Sequence, residues 1–282
     1  MKIGVFSINM GVGASPGAIA RLAPAAESAG FESLWTGEHV VLPDPQAPPS
    51  PLPPEAPMLD PAVALAFAAA HTSTIKLGTG IIIVPQRNPL ILAKELASVD
   101  VLSNGRLQFG VGVGYLGAEF EALGIPMKDR AARTVEYIEA MRAIWRQDSP
   151  EYHGQFVDYS AVQAHPRPVQ HPGPPVHMGG HSAPAFRRAV TMCEGWYGYA
   201  LDEDATRACL DGLAAAAQRH DRPSDLDALE ISVTPRGRIT PERIEAFAAL
   251  GVERLILTPR GNDVDEWLTW IDTTAGELIR RA

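Results

Sequence analysis

Cysteine is nearly missing from this chain. Cys193 and Cys209 are the only two in 282 residues; they form no CxxC pair and fall in segments patterned as helix, so neither a disulfide framework nor a cysteine-based zinc site organises the fold. Positive charge is also in short supply. The 24 Lys and Arg stand against 33 Asp and Glu, a net charge of -9, which argues against the basic footprint that binding a phosphate backbone requires. No apolar run approaches the length of a membrane span, and the first apolar stretch, Ile3 to Ile8, is too short for a signal-peptide core. What remains, 46% hydrophobic and 20% charged residues, describes a globular protein that works on small molecules, expected in the cytoplasm with its thiols reduced.

The most informative stretch is Ile75 to Tyr115. It reads as strand, loop, helix, strand, with glycines at both strand ends. Ile75 to Val84 is β-branched with almost no polar alternation, as expected of a strand covered on both faces. Ser103, Asn104 and Gly105 stop the intervening helix, and Leu107 to Val113 forms a second buried strand. There Gly110, Gly112 and Gly114 would let a flat ligand lie against backbone.

Seven more segments complete the pattern begun by Lys76 to Ile83: Lys2 to Ile8, Ser33 to Thr36, Arg106 to Val113, Pro175 to Met178, Gly195 to Tyr199, Leu229 to Thr234 and Arg254 to Thr258. Each precedes a helical pattern, at roughly 16–29, 60–72, 89–102, 129–147, 183–192, 203–220, 240–249 and 263–281. Eight strand–helix pairs predict one (β/α)8 TIM barrel over residues 1–282. Helix starts are marked by Ser15-Pro16, Asp60-Pro61, Asn88-Pro89 and Thr240-Pro241, each a capping side chain followed by proline. The second helix is apolar on every side, which predicts burial in a subunit interface and at least a homodimer.

Two long irregular stretches differ in position. Val40 to Leu59 carries prolines at 43, 45, 48, 49, 51, 53, 54 and 57. It follows the second strand, so it is a stiff flap inserted at the C-terminal mouth of the barrel. Gln147 to Pro174 joins a helix to the next strand, at the opposite face, where no catalytic role is expected.

Glu38 and His39 end the second strand, at the height where barrel enzymes place reactive side chains, and histidine exchanges protons near neutral pH. A hydrogen-bonded structural histidine is the alternative. Gly179, Gly180, His181 and Ser182 lie between a strand and a helix start, a candidate phosphate cradle or an ordinary capped turn. Gly112 to Gly117 matches GxGxxG literally but lacks the immediate helix and the following acid of a dinucleotide site. His171, His177 and His181 lack carboxylate or cysteine companions at metal-ligand spacing. Trp196, Tyr197 and Tyr199 suit either an aromatic pocket or core.

Together LGTGIIIVPQRNP, Ser103-Asn104-Gly105-Arg106, GVGVGY with Glu119-Phe120 and Gly124, and PPVHMGGHS resemble the bacterial luciferase-like flavin or deazaflavin oxidoreductases along nearly the whole chain. The resemblance implies a non-prolyl cis peptide at Gly80-Ile81, forming a bulge behind the cofactor ring, and a phosphate site at Gly179 to Ser182. It places His39 at the reactive ring edge with Tyr115 beside it and Glu38 orienting. Tyr115 stands where sugar-phosphate dehydrogenases of the family carry glutamate, and the tryptophan they have in the loop after the histidine is missing. The expected reaction is hydride transfer between coenzyme F420 and a small organic substrate. The alternatives are an FMNH2-dependent monooxygenase served by a separate flavin reductase, and a non-catalytic flavin-binding protein. For the anionic tail of F420, Arg87, Arg130, Arg133 and Arg236 are the candidate rim cations.

Overall fold

Segments without polar alternation become strands buried on both faces in the computed structural model, which describes residues 1–280. In chain order the strands are β1 (Lys2–Val5), β2 (Ser33–Thr36), β3 (Lys76–Thr79), β4 (Ile82–Ile83), β5 (Leu107–Gly112), β6 (Tyr152–His153), β7 (Asp158–Tyr159), β8 (Val176–Gly179), β9 (Gly195–Leu201), β10 (Glu230–Pro235) and β11 (Arg254–Leu257). The main sheet runs β3-β2-β1-β11-β10-β9-β8-β5-β4, and a further β3–β5 pairing closes it. All its pairings are parallel. β3 and β4 are two halves of one barrel strand, separated by the cis Gly80-Ile81 peptide, so the expected uninterrupted strand is broken where the bulge was expected. The result is the eight-stranded (β/α)8 barrel.

The helices are α1 (Ala18–Ala29), α2 (Pro61–Ala70), α3 (Pro89–Leu102), α4 (Gly117–Ala122), α5 (Arg130–Arg146), α6 (Ala183–Met192), α7 (Glu203–Arg219), α8 (Pro241–Ala249) and α9 (Val264–Leu278). Three of the four expected caps hold: Asp60 accepts from the Val63 amide, Asn88 from Leu90 and Ile91, and Thr240 from Arg243. Ser15-Pro16 does not start a helix. Ser15 ends a short 3-10 turn, Gly11–Ala14, and α1 begins after Gly17, whose left-handed φ of 75° turns the chain into it.

The segment between α5 and β8 is not wholly irregular, since Tyr152–Tyr159 and His153–Asp158 pairings make a small antiparallel hairpin of β6 and β7. It packs at the N-terminal end of the barrel, where the Gln170 amide donates to Asp100 at 2.7 Å and to the Leu107 carbonyl at 2.8 Å. Among the described residues no helix is long and apolar enough to cross a membrane. Helix α2 turns Val63 and Phe67 outward, and neighbouring α3 does the same with Ile91 and Leu102.

Inside the barrel, the N-terminal end is closed by charge rather than hydrocarbon. Arg254, with no exposed surface, donates to both oxygens of Glu32, to Glu230 and to the Ser232 hydroxyl. Lys2 reaches the same Glu230 at 2.6 Å. Above this plug lies His177, buried, with Nε2 3.1 Å from Gln108 Oε1. Burial lowers its pKa from 6.5 to about 4, because the charged ring would lose its hydration.

His177 therefore stays neutral in the folded protein but charges in the unfolded chain below about pH 6.5, so the unfolded state binds the extra proton and stability falls as pH drops from there toward 4. The loss expected from chemical denaturation across that window is up to about 3 kcal/mol. In His177→Gln the slope over the same window should flatten. A variant as pH-sensitive as the parent would show that other groups carry the effect.

Candidate active site

Glycines of two neighbouring strands, β5 and β8, make the floor of the site because one side chain needs their space. Ile81, raised by the break between β3 and β4, lies across β5 and β8: a Cβ on Gly112 would sit 2.3 Å from its Cδ1, and one on Gly179 would be 3.3 Å from its Cγ2. At Gly110 a Cβ would stand 1.8 Å from the Thr79 carbonyl oxygen. No side chain fits there. Above Ile81 opens a cavity of about 390 Å³ at the C-terminal mouth, floored by Gly80, Ile81, Gly112 and Gly114 and walled by Phe6, Met10 and Tyr197. Its lining is mainly apolar, and flap residues Pro51 and Leu52 form part of its edge.

The flap is held at its base. The Asn9 side chain accepts from the Gly37 amide and donates to the carbonyls of Gly37 and Leu59, at 2.9, 2.9 and 2.6 Å. Met10 and Met58 form a bridge beside it.

One edge of the cavity carries the polar groups. His39, nearly buried, has Nδ1 3.3 Å from Glu119 Oε2, while Glu119 Oε1 accepts from the Val40 amide at 2.5 Å. Burial opposes the charge on Glu119, but the hydrogen bonds outweigh it and hold its carboxyl below the usual range. An ionised carboxylate at Nδ1 accepts only, so Nδ1 carries the proton and Nε2 is left with a lone pair directed at the cavity. Nε2 lies 3.4 Å from the Tyr115 hydroxyl, and the two rings meet edge to face at 5.9 Å. Partial burial, with Glu119 and Tyr199 nearby, raises the Tyr115 pKa. The phenol therefore stays protonated and is a donor to Nε2.

Of the residues named from sequence, Gly80, Ile81, Gly112, Gly114, Gly179, Gly180, His39, Glu38 and Tyr115 all line this cavity. Glu38 does not orient His39. Its carboxylate accepts from the Ile83 amide at 2.5 Å and forms an ion pair with Arg87, which also reaches Asp60 at 2.7 Å. Burial alone would weaken the Arg87 charge, but Glu38 and Asp60 raise its pKa and keep it ionised. Glu38 thus ties β2 to the turn before α3, and Glu119 takes the orienting role.

His181 and Ser182 stand outside the cavity. His181 Nε2 accepts from the Tyr199 amide at 3.2 Å, and exposed Ser182 precedes α6 without a side-chain cap. Gly179 and Gly180 nevertheless lead from the cavity to the N-terminus of α6, where backbone N–H groups favour an anion. His177 is core, and no group of three potential metal ligands occurs among the described residues. Trp196 is core as well, its indole donating to the Gly180 carbonyl at 2.9 Å. Tyr197 walls the cavity, and Tyr199 stands half-exposed at its rim. A flat apolar slot over side-chain-free backbone, with an anion seat beyond one end and a proton-carrying pair at the other, fits a flavin or deazaflavin.

Two contributors had no role in the sequence reading: Glu119 entered it only as part of the motif that follows GVGVGY, and Asn9 not at all. The literal GxGxxG proves to be the end of β5 plus a loop, with Gly117 opening a helix of one and a half turns.

Residues 1–273 match the family described as luciferase-like monooxygenase. An uncharacterized protein of Mycobacterium tuberculosis strain ATCC 25618 / H37Rv is 32% identical, with 99% of both chains covered. The FMNH2-dependent dimethylsulfone monooxygenase of Pseudomonas putida is 30% identical over 75% of this chain and 61% of its own. The coenzyme F420-dependent tetrahydromethanopterin reductase of Methanopyrus kandleri has the same fold, with a TM-score of 0.77 at 18% identity over 100% of this chain and 98% of that one. With the match spanning nearly the whole sequence, the chain belongs to the luciferase-like monooxygenase family.

Proposed function

We propose that this protein is a coenzyme F420-dependent oxidoreductase that moves a hydride between the deazaflavin and a small organic substrate. The observation that carries the reading is the Glu119–His39–Tyr115 chain at one edge of the apolar cavity. Hydride delivery to a carbonyl, or removal from an alcohol, needs a proton given or taken at the same edge. The bound cofactor would supply the hydride chemistry. Gly80, Ile81, Gly112 and Gly114 would support its ring, and Gly179 to Ser182 its phosphate.

His39 and Tyr115 then do the proton work. In the oxidising direction Tyr115 Oη takes the substrate hydroxyl proton as its own passes to the Nε2 lone pair of His39, and in the reducing direction the imidazolium gives that proton back through Oη to the substrate oxygen. Glu119 fixes the ring orientation and stabilises the imidazolium when Nε2 is protonated. The flap, with Pro51 and Leu52 at the cavity edge, would exclude water from this corner. A protein that only stored cofactor would have no use for a histidine held in one tautomer.

A second reading keeps the site and changes the cofactor to reduced FMN, with oxygen as co-substrate and a flavin reductase as partner. The likeness to the P. putida enzyme and the apolar lining favour it. Titration with F420 and with FMN, oxidised and reduced, decides between them, and binding of FMN alone would sink the deazaflavin reading. The apolar face of α2 and α3 supports a homodimer: replacing Phe67 and Ile91 with Glu should then give a folded monomer by sedimentation, and an unchanged sedimentation coefficient would refute that interface.

With the right cofactor and substrate, His39→Ala should bind cofactor within about twofold of the parent yet lose about 10²- to 10⁴-fold in turnover. Retention of full turnover would remove His39 from the mechanism. In nitrogen-15 NMR of the histidine rings, His39 should appear protonated at Nδ1 in the parent and shift toward Nε2 protonation in Glu119→Ala. The same tautomer in both proteins would mean that Glu119 does not set it.

A further inference from the structure

Beyond Tyr199, on the side of the mouth away from His39, lies a second cavity of about 480 Å³ between the exits of β9, β10 and β11. Tyr199 borders both cavities. The register of β9 against β10 slips here: Tyr199 faces Thr234 and Leu201 faces Pro235, so Ala200 has no partner and adopts a φ of 56°. Such a bulge bends the strand and opens the rim.

Three guanidinium groups, those of Arg236, Arg238 and Arg260, line this cavity against one carboxylate, Glu277. In a chain of net charge -9 that is a local reversal of sign. Glu277 lies 3.7 Å from Arg238. Among the described residues, the side chains of Arg236 and Arg260 have neither hydrogen-bond nor ion-pair partner. The loop carrying two of the three is braced: Arg243, itself held by both oxygens of Glu203 at 2.6 and 3.0 Å, donates to the carbonyls of Arg236 and Arg238 at 3.0 and 2.7 Å. A fixed backbone thus presents the free fork of Arg236 beside the Glu277-paired fork of Arg238, with the free fork of Arg260 alongside, a geometry suited to bidentate capture of carboxylate.

We propose that this arginine-lined cavity seats the anionic side chain of the molecule whose ring fills the neighbouring slot. The inference rests on the flavin or deazaflavin reading of that slot. Position favours the cofactor over the substrate as the source of the anion. The proton-carrying pair stands at the exits of β2 and β5, whereas the arginines stand at those of β10 and β11, across the mouth from it and separated from Gly179 at the end of β8 by β9. A ring with its reactive edge at His39 would send its side chain toward them. Of the four arginines suggested by sequence for this purpose only Arg236 lies here. Arg87 is engaged by Glu38 and Asp60, Arg130 by the carbonyls of Gly114 and Met127, and Arg133 by Tyr137 and the face of Phe156. Arg238 and Arg260 take their place.

That anion is the carboxylate tail of F420, since the phosphate is assigned to Gly179 to Ser182. Fluorescence titrations of the parent and of the triple variant Arg236→Gln, Arg238→Gln, Arg260→Gln would use F420, a deazaflavin lacking both phosphate and tail, and FMN, at low and high salt. The variant should bind F420 at least about tenfold more weakly at low salt, with the difference shrinking at high salt and no change for the uncharged ligand. A loss confined to F420 assigns the cavity to the carboxylate tail, and an equal loss for FMN, which has no such tail, overturns that assignment. Equal losses for all three ligands, or none for any, overturn the proposal. Should the parent itself bind neither deazaflavin nor FMN, the functional reading fails, and the cavity's role falls with it.

Discussion

The approach of Ile81 to the backbone of β5 and β8 is the constraint on which the site depends. Strands of a parallel barrel normally fill its interior with branched side chains in layers. Here one side chain from the third barrel strand occupies the space of its neighbours at the mouth, and the neighbours are glycine because a Cβ would overlap it or the Thr79 carbonyl. Below that level the interior is filled by Trp35 and Tyr197 side by side, with Trp35 lying against Gly78, and then by the Arg254 ion-pair plug. A packed lower barrel and a bare upper ledge together turn a filled core into a slot.

Electrostatics then fixes what surrounds the slot. Glu38, Arg87 and Asp60 form one buried to half-buried ion-pair group joining β2, the turn before α3 and the start of α2. Asp60 also caps α2, so the return of the proline-rich flap is anchored by a helix cap and an ion pair at the same residue. The strand end carrying His39 is therefore rigid on one side through Glu38 and on the other through Glu119. Two adjacent residues, one tied to the frame and one presented to the cavity, divide structure from chemistry.

Much of this was legible in the sequence because it is local. The unalternated runs at Ser33 to Thr36 and Leu107 to Val113 gave the strands, and Asp60-Pro61 and Asn88-Pro89 gave helix starts, since a cap acts on amides two or three residues away. Ser15-Pro16 offered the same signal and failed, because a 3-10 turn had already used Ser15 and the left-handed Gly17 made the actual entry. The orienting partner of His39 was out of reach for a different reason. Glu119 lies 80 residues along the chain, and only closure of the barrel between β3 and β5 brings the two together. Adjacency made Glu38 the natural choice, yet successive residues at a strand end point to opposite faces. Glu38 points to the frame.

Floor and rim of the mouth differ in how freely they can change. Any side chain at Gly110 or Gly112 would have to displace backbone or Ile81, so the surface that supports a ring is fixed by sterics. Tyr115 and Tyr199 are about half exposed, the flap contributes only Pro51 and Leu52, and the side chains of Arg236 and Arg238 project from backbone held by Arg243. Substitution at these positions costs little folding energy, because exposed groups lose few contacts. A family with this division can keep one floor while the rim changes, which accounts physically for flavin- and deazaflavin-dependent proteins sharing the fold.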